Sequence, residues 1–282
     1  MKNVLTIAGF DPSSGAGVTA DLMVFAAHGL FGTSCITALT VQSTVGVRST
    51  HPTSAAVVAA TLDCLNDDLP PAGIKIGMIS TEENVIAISD FLQRINPEEA
   101  KSGRVPIVLD PVLRSTSGRE LLDLAAVTTL RERLLPLVDW ITPNLAELAI
   151  LSGEAVATRE DLPRASRSLQ DQIAQRAGGR RIGIFATGGH LDPPDDLLLL
   201  PDGEVIWLPG ERVVTRSTHG TGCSLSSAFL ARLVLGDAPR AAAASAKDHV
   251  AKALGTAVAI GSGISPVNNL WRLSISLPNR PR

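Results

Sequence analysis

The chain has no tyrosine, and six phenylalanines and three tryptophans are its other aromatic residues among 282 positions. A core of this length must then be built from Ala, Val, Leu and Ile, which suits buried strands covered by helices. Cysteine is equally scarce. Cys35, Cys64 and Cys223 are odd in number, far apart and lack any CxxC pairing. They build neither a disulfide framework nor a zinc site, and they fit a reducing, cytoplasmic compartment. Neither sign of charge dominates. At a net −3 nothing favours nucleic acid or an anionic membrane as partner. No apolar run reaches the roughly 18 residues of a bilayer span, and "NVLTIAGF" opens the chain as a strand, without the build of a signal peptide. Several catalytic signatures are missing too. There is no GxxxxGK[ST], no HExxH and no GxSxG, and "GAGVTA" (15–20) lacks the last glycine of a dinucleotide fingerprint.

What is present is alternation. Short apolar runs at 4–9, 35–41, 73–78, 106–110, 139–142 and 182–187 read as buried strands. Helical spacing lies between them: Val18, Leu22, Phe25 and Ala26 share one face, as do Val85, Ile88 and Leu92. Residues 121–135 and 162–173 give two further helices. After Gly188, "DLLLLPDGEVIWL" (196–208) predicts a hairpin turning at Pro-Asp-Gly. "ERVV" (211–214) is expected to add a strand, and helices are expected over 221–235 and 238–260. Strands alternating with helices imply α/β architecture, a parallel sheet with helices on both faces. Residues 1–272 are expected to form one domain, followed by a tail over 273–282. In an open parallel sheet the ligand lies outside the carboxyl ends of the strands, and each strand here ends in polar or glycine-containing sequence.

"THGTGCSLS" (218–226) is the strongest local signal. Gly220 and Gly222 allow close backbone approach, and a helix that begins there leaves backbone N–H groups facing outward for an anion. The plain alternative is a glycine-rich turn capped by Thr221, with Cys223 a small packing residue. In the first turn of a helix a thiol is expected to have a lowered pKa, so Cys223 could take a proton or act as a nucleophile. His219 reads as structural, and Cys35 and Cys64 as packing residues. "WITPNLAEL" (140–148) starts a helix, with Thr142 as cap and Pro143 at its first position. Asn144 and Glu147 are also placed to hold a hydrated Mg²⁺, with Asp110 as a second acid. Gln42, just past a strand, offers a donor and an acceptor to a heterocycle edge. Asp11 and Asp21 read as caps or surface charges.

These stretches together resemble the ribokinase-like superfamily and, within it, the hydroxymethylpyrimidine/phosphomethylpyrimidine kinases of thiamine biosynthesis. The segments "TIAGFDPSSGAGVTADL" (6–22), "TALTVQSTVGV" (37–47), "KIGMIS" (75–80), "VLDPV" (108–112), "ITPNLAEL" (141–148), "GGHL" (188–191) and "HGTGCSLSSAFLA" (219–231) carry the resemblance in the family's order. It implies a three-layer sandwich, mostly parallel in its sheet, usually a homodimer. It further implies transfer of the γ-phosphoryl of ATP to 4-amino-5-hydroxymethyl-2-methylpyrimidine, and then to its monophosphate. On matching positions, Gly220, Thr221 and Gly222 would form the anion hole and Cys223 the base. Gln42 would read the pyrimidine, with Gly9, Ala16, Met78 and Val112 lining the pocket. Asp110, Asn144 and Glu147 would manage Mg²⁺ and the phosphates. The chain departs from the pattern at Phe10, at Ser14 (a glycine in relatives), at Thr187 (commonly Lys, a nucleotide contact) and at Asn269 (often His). A pyridoxal kinase, or a silent pyrimidine-binding protein, is the alternative.

Overall fold

A computed structural model describes residues 1–96, 104–114, 121–122 and 124–273. The strands are β1 (Asn3–Phe10), β2 (Phe31–Ser43), β3 (Gly46–Pro52), β4 (Ile74–Ile76), β5 (Ile107–Leu109), β6 (Trp140–Ile141), β7 (Gly183–Ala186), β8 (Asp196–Leu199) and β9 (Val205–Leu208). The helices are α1 (Gly17–Ala27), α2 (Ala55–Asp68), α3 (Glu82–Ile95), α4 (Leu124–Thr129), α5 (Leu145–Ser152), α6 (Asp161–Arg176), α7 (Thr221–Leu235) and α8 (Pro239–Gly255). All these strands join one sheet in the order β3-β2-β1-β4-β5-β6-β7-β8-β9. The six from β2 to β7 run parallel, while β3, β8 and β9 pair antiparallel at the two edges.

Two apolar layers hold the sandwich. Leu5, Ile7, Ile74, Ile76, Ile107 and Leu109 meet α2 to α6 on one face. Val4, Val108, Trp140 and Phe185 meet α1, α7 and α8 on the other. Phe229 of α7 packs edge-on to Trp140 at 5.1 Å and to Phe185 at 5.3 Å, so three of the few aromatics share one spot. Trp140 in turn demands Gly183, where a Cβ would stand 2.0 Å from its ring.

Several expectations are corrected. "ERVV" forms no strand; the segment lies along the cleft, where the Arg212 side chain donates to the carbonyls of Gly189 and Leu191. The strand β3 was not foreseen; "GVRSTHP" has no alternation, and its charges and proline suit an edge. The helix expected over 121–135 is α4 followed by a π turn (Leu130–Leu134) and a 3₁₀ turn (Leu135–Leu137). Helix α8 stops at Gly255 rather than 260. Cys64 is exposed on α2 and packs nothing, whereas Cys35 is buried as expected. The tail beyond Leu273 lies outside the described residues. Among the described residues no helix is long and apolar enough to cross a membrane.

Candidate active site

The carboxyl ends of the parallel strands open into one cleft of about 1390 Å³. Gly9 ends β1, Gln42 ends β2, Met78 follows β4, Asp110 and Val112 follow β5, Asn144 follows β6 and Thr187 follows β7. All of them line the cleft, together with Ala16, Glu147 and the run Gly220 to Cys223. Residues separated by up to two hundred positions thus meet at one opening. A Cβ on Gly9 would stand 3.1 Å from the Met78 sulfur, so glycine there makes room for the methionine.

The turn before α7 is interlocked with the loop after β1. Gly220 has φ 83°, in the left-handed region that glycine enters without strain. A Cβ on it would lie 1.8 Å from the Gly15 carbonyl oxygen, and a Cβ on Gly15 would lie 2.1 Å from the His219 ring. Asp11 locks the contact. Its Oδ1 accepts from Ser13 N–H and Oγ, and its Oδ2 from Ala16 N–H at 3.0 Å and lies 2.8 Å from His219 Nε2. Burial alone would raise the Asp11 pKa, but bonds from His219 and Ser13 outweigh it and hold the carboxyl at about 2. Asp11 is therefore a buried knot and neither a cap nor a surface charge. Ser14, at φ 59°, occupies a left-handed position where a glycine would be relaxed. No side chain caps α7, Thr221 included, so its first N–H groups face the cleft. The site of a Gly222 Cβ is open, with Asp110 Oδ2 nearest at 3.8 Å.

Beneath this turn lies a charged network that the sequence reading missed. Lys75 is fully buried in β4 and donates to Asp21 Oδ2 at 2.9 Å. Asp21 also accepts from Thr6 Oγ1 at 2.6 Å and from Ser227 Oγ of α7 at 2.7 Å. It is an interior partner, not a cap or a surface charge. The available signal was a lysine inside an otherwise apolar strand, "GIKIGM". Burial opposes the Lys75 charge, yet Asp21 first, and Asp110 with it, keep it protonated. Asp110 is raised by burial, with Lys75 opposing, and accepts from Ser226 Oγ at 3.3 Å.

Cys223 corrects a specific expectation. Burial pushes its thiol up to about 12, although Lys75 and the Gly17 N–H at the start of α1 both oppose that rise. Desolvation outweighs the helix N-terminus, and the resting side chain is a neutral thiol. The Asp110 and Asp21 charges nearby add to that rise.

The entrance to α5 is built differently. Asn144, and not Thr142, is the cap; its Oδ1 accepts from Glu147 N–H at 3.0 Å while Glu147 Oε2 accepts from Asn144 N–H at 2.9 Å. Pro143 stands outside the helix, and its carbonyl accepts from Thr187 N–H at 2.9 Å. Burial, and then the nearby Asp110 charge, raise Glu147 to about 8. Two close carboxylates without a histidine or thiolate partner form a hard oxygen pair. That set suits Mg²⁺, which takes one or two carboxylates and completes its shell with waters and phosphates. Among the described residues no group of three metal-ligating side chains exists.

Thr187 brings no charge, and the cleft's cations among the described residues are Lys75, Arg114, Arg212 and Lys247. Lys247 donates to Asp196 Oδ2 at 2.6 Å, and Asp196 Oδ1 accepts from Gly188 N–H at 2.7 Å. An ammonium from α8 is thereby fixed beside the end of β7. The cleft also runs between Pro209–Val213 and the Ala244, Ala251 and Leu254 face of α8. This apolar slot had no sequence motif, since its walls come from a loop and an alanine-rich helix.

A family model described as phosphomethylpyrimidine kinase matches residues 11–268. A hydroxymethylpyrimidine/phosphomethylpyrimidine kinase of Haemophilus influenzae is 38% identical, over 97% of this chain and 98% of its own length. The crystal structure of a phosphomethylpyrimidine kinase from Clostridium difficile is 33% identical and superposes with a TM-score of 0.74 over 90% of this chain and 100% of that one. A pyridoxal kinase from Staphylococcus aureus, solved with pyridoxal, is 28% identical with a TM-score of 0.82 over 98% and 96% of the two chains. With a ribokinase-like sandwich, one cleft at its strand ends and a match from the first loop to the segment beyond α8, this chain belongs to the phosphomethylpyrimidine kinase family of phosphotransferases.

Proposed function

We propose that residues 1–272 act as one kinase domain that transfers the γ-phosphoryl group of ATP to the hydroxymethyl group of 4-amino-5-hydroxymethyl-2-methylpyrimidine, and then phosphorylates the monophosphate in the same cleft. The observation that carries this reading is the uncapped start of α7 facing the Asp110–Glu147 pair across the same cleft that Gln42 lines. Phosphoryl transfer has a loose transition state, so fixed donors aimed at the moving group do most of the work. The N–H groups of Gly220, Thr221 and Gly222 supply them. Asp110 and Glu147 would hold Mg²⁺, with Asn144 and Thr187 beside the nucleotide's phosphates. When bound, the ion offsets repulsion between the alcohol and the triphosphate. Gln42 reads the ring edge, against walls from Gly9, Ala16, Met78 and Val112. The apolar slot along α8 takes the nucleoside, and Lys247 supplies the cation that Thr187 lacks.

Cys223 receives the alcohol's proton late in the transfer. A neutral thiol can do so only as its own proton leaves, and because Cys223 lines the cleft that proton passes to water there. Exposed Leu39, Val41 and Val45 around the β2–β3 turn supply the apolar face of a cytoplasmic homodimer.

A second reading, pyridoxal phosphorylation, is favoured by the higher TM-score to the pyridoxal kinase. Both alcohols are carried on a heteroaromatic ring. A coupled assay with Mg-ATP and each alcohol decides between them. Turnover with the pyrimidine is expected; turnover of pyridoxal alone would replace the first reading with the second. Binding of the pyrimidine without ATP consumption would reduce the chain to a silent binding protein.

A further inference from the structure

The segment from Ile260 to Trp271, beyond α8, runs back across the cleft's rim. Ser265 Oγ closes its first loop, accepting from Ile260 N–H at 2.9 Å and donating to Ile260 O at 2.8 Å. Ile264 N–H then donates to Thr44 O at 2.8 Å, at the β2–β3 turn two residues past Gln42. The approach is close enough that a Cβ on Gly263 would stand 2.0 Å from that same oxygen. The segment next pairs in parallel with His219: His219 N–H donates to Ser265 O at 3.1 Å, and Val267 N–H donates to His219 O at 3.2 Å. Finally Asn269, 3% exposed, accepts at Oδ1 from Ser224 Oγ at 2.7 Å. Its far end is anchored by Asn268 N–H on Ala253 O at 3.0 Å and by Trp271 Nε1 on His249 Nδ1 at 3.3 Å.

These contacts reach the anion-binding turn through its peptide planes. A peptide is planar, so fixing a carbonyl fixes the N–H on its opposite side. Val267 fixes the His219 carbonyl and with it the direction of the Gly220 N–H. The Gly220 carbonyl accepts from Ser224 N–H at 2.9 Å and shares the single Ser224 Oγ–H proton, at 2.8 Å, with Asn269 Oδ1 at 2.7 Å. Ser224 Oγ is held in place by Asn269, and the Gly220 carbonyl sets the direction of the Thr221 N–H. The Gly220 N–H is therefore aimed from outside α7, and the Thr221 N–H by Ser224 within α7, whose hydroxyl Asn269 holds.

We infer that residues 260–271 form a strap that aims the N–H donors of the Gly220–Cys223 turn, with Asn269 as its positioning residue acting through Ser224. This rests on the proposed phosphoryl-holding role of that turn. Asn269 touches neither substrate; it acts on the orientation of donors that strengthen their bonds in the transition state. Its loss should therefore lower kcat and leave KM nearly unchanged.

The experiment measures kcat and KM for the hydroxymethylpyrimidine with Mg-ATP in Asn269→Ala, Ser224→Ala, the double variant and Gly220→Ala, with a thermal melt of each. Asn269→Ala is expected to lose about tenfold or more in kcat with KM within about twofold. Ser224→Ala should lose a similar factor, and the double variant no more than either alone, since both act through one bond. Asn269→His, which keeps an acceptor nitrogen, should recover part of the loss; it also replaces the alanine variant if that fails to fold. Folded Asn269→Ala at wild-type kcat, or losses that multiply in the double variant, overturn the strap's role. If Gly220→Ala is inactive in that same case, only the strap inference fails. If Gly220→Ala is itself fully active, the turn is not the phosphoryl site and the proposed function falls with it.

Discussion

Helices α5 and α7 both begin at the cleft, yet they end their backbones in opposite ways. The start of α5 is closed on itself by the reciprocal Asn144–Glu147 pair. The start of α7 has a left-handed glycine as its cap residue and no side-chain cap at all. A helix N-terminus attracts anions only while its N–H groups are unclaimed. In α5 the protein has already supplied the acceptor, the buried Glu147 carboxyl. In α7 it leaves that place for a ligand and uses the strap and the interlocked loop to hold the turn steady. On the proposed function, one entrance would offer side-chain oxygens to a cation, and the other backbone hydrogens to a phosphoryl group.

The most severe way to break this contrast is to close α7 as α5 is closed. Gly222→Asp sets a carboxylate into open space near Asp110 Oδ2, where it competes for the free N–H groups. Turnover should fall by about 10³-fold or more, the scale seen for lost oxyanion donors, and a melt should show the fold intact. Next comes Cys223→Ala, expected to cut kcat by roughly 10²–10⁴-fold, the range of general-base catalysis, with substrate binding nearly unchanged by calorimetry. Cys223→Ser should stay well below wild type. Near-normal rates in both variants would make Cys223 a packing residue.

Glu147→Gln sharpens the comparison from the other side. The amide oxygen keeps the capping bond to Asn144 N–H, so α5 should form, while the Mg²⁺ concentration needed for half-maximal rate should rise about tenfold or more. A pH effect accompanies it. The folded chain keeps a proton on Glu147 up to about 8, whereas an ordinary glutamate loses it near 4.5. Between those values the native state binds more protons than the unfolded one, so metal-free stability falls as pH rises. Melts at pH 5 and pH 8.5 without Mg²⁺ should show that fall in the wild type and less of it in Glu147→Gln.

The smallest effect concerns the interlock beside α7. Asp11 is depressed from 3.8 to about 2, so its contribution is complete above the higher value and is lost as pH falls toward the lower one. By linkage that is roughly 2 kcal/mol. Asp11→Asn should be less stable at neutral pH and flatter between pH 4 and pH 2 in denaturant titrations. An unchanged slope there would remove Asp11 as the lock.

The parallel strands were legible because Val, Ile and Leu runs bounded by polar turns have few other uses. The hairpin and α7 were equally plain, each marked by glycines at the required bends. Edge strand β3 was not legible, since pairing with β2 and not its own pattern makes it a strand. The site was legible wherever a strand end carried a chemical group, as at Gln42, Asp110 and Asn144. It was not legible where function depends on distant neighbours. Nothing near Cys223 in sequence announces that Asp110 and Asp21 surround it and that burial will outweigh its helix. Nor does "KIGM" announce that Lys75 is paired with Asp21, fifty-four positions earlier. Asn269 reads as a departure from a pattern until its bond to Ser224 is seen.

The interlock of Gly15 with Gly220 also bears on how the protein is made. Its two halves lie some two hundred positions apart in the chain, and the strap beside them is later still. While residues beyond α8 remain inside the ribosome, β1 can form and pair, but the Gly220–Cys223 turn has neither Ser265 nor Val267 to orient it. A nascent or truncated chain can therefore present much of a folded sheet while lacking an organised turn. The turn is therefore organised only after residues 260–271 have emerged, later than the strands whose ends it faces.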